Sequence, residues 1–222
     1  PEEPMNAAEA VRRMKLRHAV VTTVVRDDLA DGGAAHIAET IRAIHERNPG
    51  TTVEILVSDF SGDRDAIRTV LDARPEVFCH NIETVERLYP KIRDRRFNYR
   101  SALGVLRMAA EESEGSIVKS ALMVGHGETP EDVESTLRDL HDAGCEAVCI
   151  CQYFRPSRQQ TPVNQFVHPD RFKEYESLAH DIGFEFAVSG PFVRSSYRSE
   201  ALLDTPFARK RLGLGLPAVA GQ

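Results

Sequence analysis

The amino-acid sequence predicts an α/β fold in which outer helices cover parallel strands, as in a full or partial (β/α) barrel. The first observation is that short runs rich in β-branched residues alternate with longer runs of helical periodicity. The second is that glycine pairs and an Asn-Pro-Gly turn separate these runs. Strict alternation of strand and helix implies right-handed crossovers between parallel strands. A doubly wound open sheet remains an alternative on these grounds.

The strand and helix patterns follow one another in regular order. Predicted strands cover residues 18–25, 52–58, 76–80, 117–124, 146–151 and 184–188. Predicted helices cover residues 35–47, 64–73, 99–112, 130–143 and 169–182. Thr129 and Pro130 form a typical helix start, because threonine caps free N–H groups and proline suits the first helical position. We expect one barrel domain over residues 1–203 and a loosely ordered tail over 204–222, which is rich in glycine, proline and alanine.

Charge and hydropathy exclude several classes of protein. The 222 residues carry a formal net charge of −6, and the interspersed acidic and basic residues leave no basic face for nucleic acid. No apolar run approaches the ~20 residues that cross a bilayer, so we expect no membrane partner. The acidic N-terminus differs from the basic start of a signal peptide. A cytoplasmic setting is expected, or an organelle matrix if a targeting segment has been removed.

Polar side chains follow the predicted strands at the points where the strands end. Arg26 and Asp28 follow the first strand, Asn81 and Glu83 follow the third, and Arg155 follows the fifth. The loops after the strands of a (β/α) barrel converge on one face, where active sites lie. These positions are therefore the first candidates for a binding site.

Lys119 stands out because it lies within an apolar strand. A buried ammonium group needs a counter-ion or a wet pocket, since an unpaired buried charge is costly. A ligand contact is one interpretation. The other is a Schiff-base lysine of a barrel lyase, in which desolvation lowers the pKa of the amine.

Six motifs occur along the chain in a characteristic order. They are Arg-Asp-Asp-Leu-x-Asp-Gly-Gly-Ala at 26–34, Asp-Phe-x-Gly at 59–62, His-Asn-x-Glu-Thr-Val at 80–85, Lys-Ser-x-Leu-Met-Val-Gly-x-Gly-Glu-Thr at 119–129, Gln-Tyr-x-x-Pro-Ser at 152–157 and Arg-Ser-Ser-Tyr at 194–197. In these motifs the chain resembles the lipoyl synthases, a family of radical S-adenosylmethionine (SAM) enzymes. Each motif alone is a weak signal, whereas six in the family's order are strong. The resemblance extends over roughly residues 1–200.

The resemblance implies an activity and its cofactors. Lipoyl synthases insert sulfur at C6 and C8 of an octanoyl group on a lysine of a lipoyl carrier domain, such as the H protein or the E2 subunit of 2-oxoacid dehydrogenases. They use SAM, two [4Fe-4S] clusters and an electron donor such as ferredoxin or flavodoxin. One cluster cleaves SAM to a 5′-deoxyadenosyl radical, and the other donates sulfur. The cofactors thus carry the difficult chemistry, and the protein positions them.

The sequence departs from the family at the cysteines. The family's Cys-x3-Cys-x2-Cys and Cys-x4-Cys-x5-Cys motifs are absent, and the four cysteines are Cys79, Cys145, Cys149 and Cys151. We therefore expect a partial radical SAM barrel that lacks the first strand and the cluster loop, and that is inactive alone. Three of these cysteines have a spacing near that of a cluster motif, but buried apolar packing in a strand is the expected role.

The resemblance also implies roles for individual residues. It assigns SAM binding to Arg26, Asp28, Asn81, Glu83, Lys119 and Arg155, and ligation of the second cluster to Ser195. Each role has a structural alternative: loop hydrogen bonds, helix-dipole and surface ion pairs for the first group, and a helix N-cap for Ser195. His80, His126 and His168 lack the spacing of a zinc site.

Three functions remain open at this point. The resemblance favours lipoyl synthase. A non-catalytic module that binds SAM or the carrier domain, or one half of a split enzyme, is the alternative. A Schiff-base barrel lyase that uses Lys119 is the third.

Overall fold

The computed structural model describes residues 2–214, which form six parallel strands in a single sheet. The strands are β1 His18–Thr22, β2 Thr52–Leu56, β3 Val77–Cys79, β4 Ile117–Val124, β5 Ala147–Gln152 and β6 Phe186–Gly190. The helices are α1 Glu3–Met14, α2 Ala34–Arg47, α3 Arg64–Leu71, α4 Tyr89–Ile92, α5 Tyr99–Glu112, α6 Pro130–Asp142, α7 Pro169–Ile182, α8 Ser199–Leu203 and α9 Pro206–Leu212. The predicted strands and main helices are confirmed, with small shifts at their ends.

The order of the strands in the sheet decides between the two predicted architectures. The strands lie side by side in chain order, from β1 to β6, and every neighbouring pair is parallel. A doubly wound sheet would reverse direction at a switch point. Here each right-handed crossover moves to the next strand in the same direction, which places the helices of the crossovers on one face. The partial barrel is confirmed, and β1 and β6 are the edges of the described sheet.

Strand β4 shows how the two faces of the sheet differ. Successive side chains point to opposite faces of a strand. Val118 and Leu122 pack in the core between the sheet and the outer helices. Ile117 and Ala121, which alternate with them, pack on the inner face instead. The inner face of this open sheet is therefore also covered, and it is covered by the C-terminal part of the chain.

Helices α8 and α9 supply that cover. Leu202, Leu203 and Ala208 are buried against Val77 and Ile117 of the inner face. Residues 204–214 are therefore ordered, which corrects the prediction of a loosely held tail from residue 204. The apolar side chains of this segment pack against the inner face of the sheet, and their burial stabilises the segment. Residues 215–222 of the predicted tail lie outside the described residues.

Helix α1 was not predicted. Its buried residues Pro4, Ala8 and Val11 lie three or four positions apart and form one apolar stripe. The Asn48 side-chain amide donates to the Ala8 carbonyl at 3.1 Å and ties α1 to the end of α2. Within the described part of the chain, no helix is both long and apolar enough to cross a bilayer.

The start of α6 gives a test of the fold. Thr129 and Asp132 form a capping box: the Thr129 Oγ1 accepts from the Asp132 N–H at 3.2 Å, and the Asp132 carboxylate accepts from the Thr129 N–H at 2.9 Å. We expect Thr129→Ala to lower the free energy of unfolding by about 1 kcal/mol, measured by urea denaturation. Ser135→Ala removes an exposed hydroxyl from the same helix and is the control. Equal losses in both variants would contradict the capping role.

Candidate functional site

The loops that follow β3, β4 and β5 enclose a pocket at the carboxyl edge of the sheet. Its volume is about 310 Å³, and its lining includes Glu83, Arg93, Met123, His126 and Tyr153. The loop after β5 closes one side through residues 156–161. This is the edge at which active sites lie in (β/α) barrels. Glu83 and His126 therefore lie together at this edge, and their role in binding stays a prediction.

Glu83 is held in the pocket wall by the backbone of β4. Its N–H donates to the Ala121 carbonyl at 3.0 Å, and its carbonyl accepts from the Met123 N–H at 2.9 Å. The Asn81 side-chain amide donates to the Glu83 carboxylate at 3.4 Å. Burial raises the pKa of Glu83, while Arg93 and Asn81 oppose the shift. A carboxyl group in this position gains from any hydrogen-bond donor that a ligand brings.

His126 faces Tyr153 across the same pocket. The two rings lie 4.1 Å apart between centroids, and only 7% of His126 is exposed. Its two ring nitrogens have no hydrogen-bond partner among the described residues. Buried polar atoms are nearly always paired in folded proteins. The Met123 backbone lies near this ring, and a ligand that donates or accepts hydrogen bonds could pair with the ring nitrogens.

The loop that carries His126 has a fixed shape. The backbone N–H groups of Gly125 and His126 both donate to the Glu128 carboxylate, at 2.5 and 2.9 Å. Gly125 has a φ of +109°, and a Cβ atom there would lie 2.7 Å from the Gln165 carbonyl oxygen. Glycine at this position allows the close approach of the two loops.

Arg26 and Asp28 lie away from this pocket, near the edge strand β1. They form an exposed bidentate ion pair, with distances of 2.7 and 2.6 Å. Arg26 borders a separate cavity of about 350 Å³ together with Gly33 and His36. Asp31 in the same motif caps α2, since its carboxylate accepts from two backbone N–H groups of that helix start. The structure therefore does not bring Arg26 and Asp28 together with Glu83.

Arg155 is engaged by its own loop. Its guanidinium donates to the Gln160 carbonyl at 2.8 Å and also to the Arg158 carbonyl. The side chain is exposed, and its bonds shape the loop that closes the pocket. A direct contact between Arg155 and SAM stays a prediction.

Lys119 lies on the inner face of the sheet, fully buried. Its Nζ donates to both carboxylate oxygens of Glu54, at 2.8 and 3.0 Å, to the Ser195 carbonyl at 2.7 Å and to the Ser199 Oγ at 3.1 Å. An ammonium group has three N–H donors, so these acceptors use all of them.

The charge of Lys119 follows from these partners. Burial by itself lowers the pKa of Lys119, but the Glu54 carboxylate together with Cys149 and Cys79 outweighs burial and raises the pKa. A Schiff-base lysine must be neutral when it attacks a carbonyl, and it is activated by a lowered pKa. The lyase alternative therefore loses its chemical basis in this structure.

Ser195 lies in the loop between β6 and α8, and its carbonyl accepts the hydrogen bond from Lys119. The helix N-cap alternative is wrong, because α8 is preceded by Arg198 in a left-handed conformation and has no side-chain cap. The role of the Ser195 side chain as a cluster ligand stays a prediction.

The four cysteines behave as predicted for buried apolar residues. All are free and buried, and burial raises the pKa of Cys149 and Cys151 to about 11. Among residues 2–214 no group of three or more His, Cys, Asp or Glu side chains is placed to hold a metal ion. Clusters rest on several thiolates, so this part of the chain does not fit an iron–sulfur cluster by itself.

Three exposed phenylalanines next to the pocket were missed by the sequence analysis. We call Phe154, Phe166 and Phe192 the aromatic surface; they are 38%, 68% and 78% exposed. Phe154 stacks on Phe192 with 5.8 Å between centroids and lies 6.2 Å from Phe166. The segments 153–168 and 190–199 that carry them contain four arginines and no Asp or Glu. Their shared position comes from the fold, because the two segments are separated in sequence.

Comparison with known proteins supplies a family. Residues 1–140 match the sequence model of the radical SAM superfamily. The lipoyl synthase of Chlorobaculum parvum is 51% identical over 201 residues, which cover 90% of this chain and 68% of the relative. The lipoyl synthase of Thermus thermophilus is 50% identical, with 90% of this chain and 62% of the relative covered. That of Mycolicibacterium gilvum is 48% identical, covering 94% and 65%. The chain thus spans about two thirds of the length of these relatives.

Solved structures agree on the fold. The FeFe-hydrogenase maturase HydG from Carboxydothermus hydrogenoformans matches with a TM-score of 0.62 and 14% identity, over 90% of this chain and 53% of that one. Methylornithine synthase (PylB) matches with a TM-score of 0.59 and 14% identity, over 90% of this chain and 66% of that one. At this identity the likeness concerns the partial barrel alone.

The buried His126 ring gives a prediction about pH. Burial lowers the pKa of His126, and the nearby Glu128 carboxylate only partly opposes the shift. The unfolded chain therefore binds a proton more readily, and stability falls as the pH drops below about 6.5. We expect His126→Gln to reduce this loss, by up to about 1.4 kcal/mol for each pH unit, in urea denaturation at pH 7 and pH 5. His168→Asn, which changes an exposed ring, is the control. An unaltered pH dependence in His126→Gln would contradict the role of burial.

Proposed function

The chain belongs to the lipoyl synthase family of the radical SAM superfamily, and from this membership we propose that it forms the barrel part of an enzyme that inserts sulfur at C6 and C8 of a protein-bound octanoyl group. The observation that carries the proposal is the pocket after β3, β4 and β5. It lies at the active edge of a radical SAM barrel and is lined by residues of three of the six family motifs, among them Glu83, His126 and Tyr153.

The residues of this pocket fit SAM. A ligand with hydroxyl, amino and ring-nitrogen groups needs donors and acceptors in the same wall. Glu83 accepts hydrogen bonds, and the Arg93 Nε is buried without a hydrogen-bond partner among the described residues. The ring nitrogens of His126 are buried beside the Met123 backbone. When bound, SAM supplies the radical that removes hydrogen from the octanoyl chain. The protein's part is to hold SAM in one orientation and to keep water away from it.

The iron–sulfur clusters do not fit the described residues alone. We propose that their cysteines come from sequence other than these 222 residues, and that Ser195 completes the second cluster. From family membership we also propose two [4Fe-4S] clusters and an electron donor such as ferredoxin or flavodoxin.

The aromatic surface fits an acylated carrier protein. An octanoyl chain is apolar, and Phe154 and Phe192 present exposed rings beside the pocket. The arginines of the two segments make this surface positive on a chain whose net charge is −6. Opposite charges steer association and fix orientation. The surface therefore suits an acidic carrier domain that delivers its acyl chain past the phenylalanines.

A binding-only role is the second candidate, and the cysteines favour it for the isolated chain. All four thiols are buried, so the chain alone can offer a SAM pocket and a docking surface without a cluster. A split enzyme, in which a second chain brings the thiolates, combines both candidates.

Reconstitution distinguishes these functions. The 222-residue chain would be reconstituted anaerobically with iron and sulfide, alone and joined to an N-terminal segment that carries the two cysteine motifs of the family. We expect 5′-deoxyadenosine and lipoyl product from an octanoylated carrier only with the added segment. Glu83→Gln in the joined protein should weaken SAM binding about tenfold, because a neutral amide oxygen accepts a weaker hydrogen bond than a carboxylate does. A joined protein that is folded and loaded with clusters, yet inactive, would favour the binding-only role.

The docking surface has its own test. We expect Phe192→Ser to raise the KM for the octanoylated carrier about tenfold, because exposed aromatic residues are frequent energetic anchors of interfaces. The measurement is the carrier dependence of product formation in the joined protein, with kcat largely unchanged. Met14→Ser, which alters an exposed apolar residue of α1, is the control. An unchanged KM in Phe192→Ser would remove the aromatic surface from the proposal.

A further inference from the structure

The loop that carries Ser195 runs back from the carboxyl edge into the barrel interior. Residue 190 ends β6, and α8 begins at Ser199, which is 1% exposed. Between them Val193 packs on Ala121 and Cys149 of the inner face. Phe192, one residue earlier, is 78% exposed. The chain thus passes from the open surface to the buried interior within a few residues.

Lys119 joins this loop to the sheet. It donates to the Ser195 carbonyl and the Ser199 Oγ, and the Ser199 hydroxyl itself donates to the Ser195 carbonyl at 3.3 Å. On its other side Lys119 is held by Glu54 of β2. The ammonium group of Lys119, on β4, therefore connects two distant parts of the chain. Glu54 of β2 is 65 residues away in sequence, and Ser195 in the loop is 76 residues away.

Glu54 has support of its own. The His18 Nε2 lies 3.5 Å from a Glu54 carboxylate oxygen, and the other His18 ring nitrogen is 2.8 Å from the Thr52 Oγ1. Burial tends to raise the pKa of Glu54, but His18 and Lys119 outweigh burial and lower it. The carboxylate is charged and fixed, so Lys119 has a fixed counter-ion.

A pair of this kind adds little net stability, because removing two charges from water offsets most of their attraction. What it does supply is geometry. An ammonium group with all three N–H donors engaged holds its acceptors at defined distances. Of the acceptors of Lys119, two belong to the loop around Ser195 and two to the carboxylate that anchors the lysine.

We propose that Lys119 is a positioning residue, whose ammonium group, anchored by Glu54, fixes the Ser195 carbonyl and so sets the direction of the Ser195 side chain before any cofactor binds. The consequence for catalysis rests on the proposed function, since the family assigns Ser195 to a cluster. The positioning itself is a property of this chain alone. The structure thus assigns Lys119 a role different from the SAM contact that the sequence predicted.

The test uses the 222-residue chain without SAM or iron, so its outcome does not depend on the enzymatic activity. The variant combines Glu54→Gln with Lys119→Met, which removes both charges and leaves neither buried alone. Trypsin cleavage after Arg194 and Arg198 reports local opening of the loop. We expect cleavage there to become about tenfold faster, while amide exchange in β4 and β5 stays unchanged. Cys79→Ala, a change at the neighbouring inner-face position of β3, is the control and should leave cleavage unchanged.

A second readout reports the Ser195 position itself. Ser195→Cys provides a site for a nitroxide label, and the four native cysteines are buried and remain unlabelled. We expect a restricted electron paramagnetic resonance spectrum with Lys119 present and a mobile one in the double variant. A structural role without positioning would leave the label restricted while strand exchange increased, and that result would overturn the proposal.

Ser199→Ala keeps the proposal testable if the double variant does not fold. It removes one acceptor of Lys119 and one donor to the Ser195 carbonyl, and leaves the ion pair intact. We expect cleavage after Arg194 to rise about threefold. Unchanged cleavage and an unchanged label spectrum in Ser199→Ala and in the folded double variant would refute the positioning role. Loss of lipoyl product in the joined protein with normal loop protection would instead count against the proposed function.

Discussion

One buried ion pair, between Lys119 and Glu54, constrains how the C-terminal part of the chain lies against the sheet. A lysine in the interior of a barrel is tolerated only if a carboxylate and further acceptors surround its ammonium group. Because Lys119 of β4 contacts both Glu54 of β2 and the Ser195 carbonyl, these contacts fix the relative positions of β2, β4 and the loop after β6. The C-terminal helices α8 and α9 come directly after this loop. They pack on the inner face of the sheet against apolar residues of three strands. The Lys119–Glu54 ion pair therefore helps to determine how the apolar inner face of the sheet is covered.

The same central strand serves the interior and the candidate site. β4 directs Lys119 inward near its start, and at its end it leads into the glycine-bounded turn that carries His126. Glu83 pairs with the end of β4 through two backbone hydrogen bonds. The pocket wall and the anchored loop thus share a rigid element, which suits a site that must hold a reactive ligand.

The sequence predicted local features better than distant partnerships. Strand β4 was predicted at its observed bounds because it is a long apolar run between clear turns. The positions of Asn81 and Glu83 at the carboxyl edge could be predicted because polar residues that directly follow a strand lie at that edge. The partner of Lys119 was not predicted, since Glu54 is 65 residues away and a sequence pattern does not tell which charges meet. Helix α1 was missed because its short apolar stripe is surrounded by charged residues.

The buried thiols have a consequence for metal loading. A thiol with a pKa of about 11, as at Cys149 and Cys151, is ionised at pH 7 in about one molecule in ten thousand. Iron and sulfide react with thiolates, and these cysteines expose almost none. The barrel cysteines should therefore contribute little non-specific iron binding. Iron that remains bound to a reconstituted protein would then measure the cluster ligands that were added to the barrel.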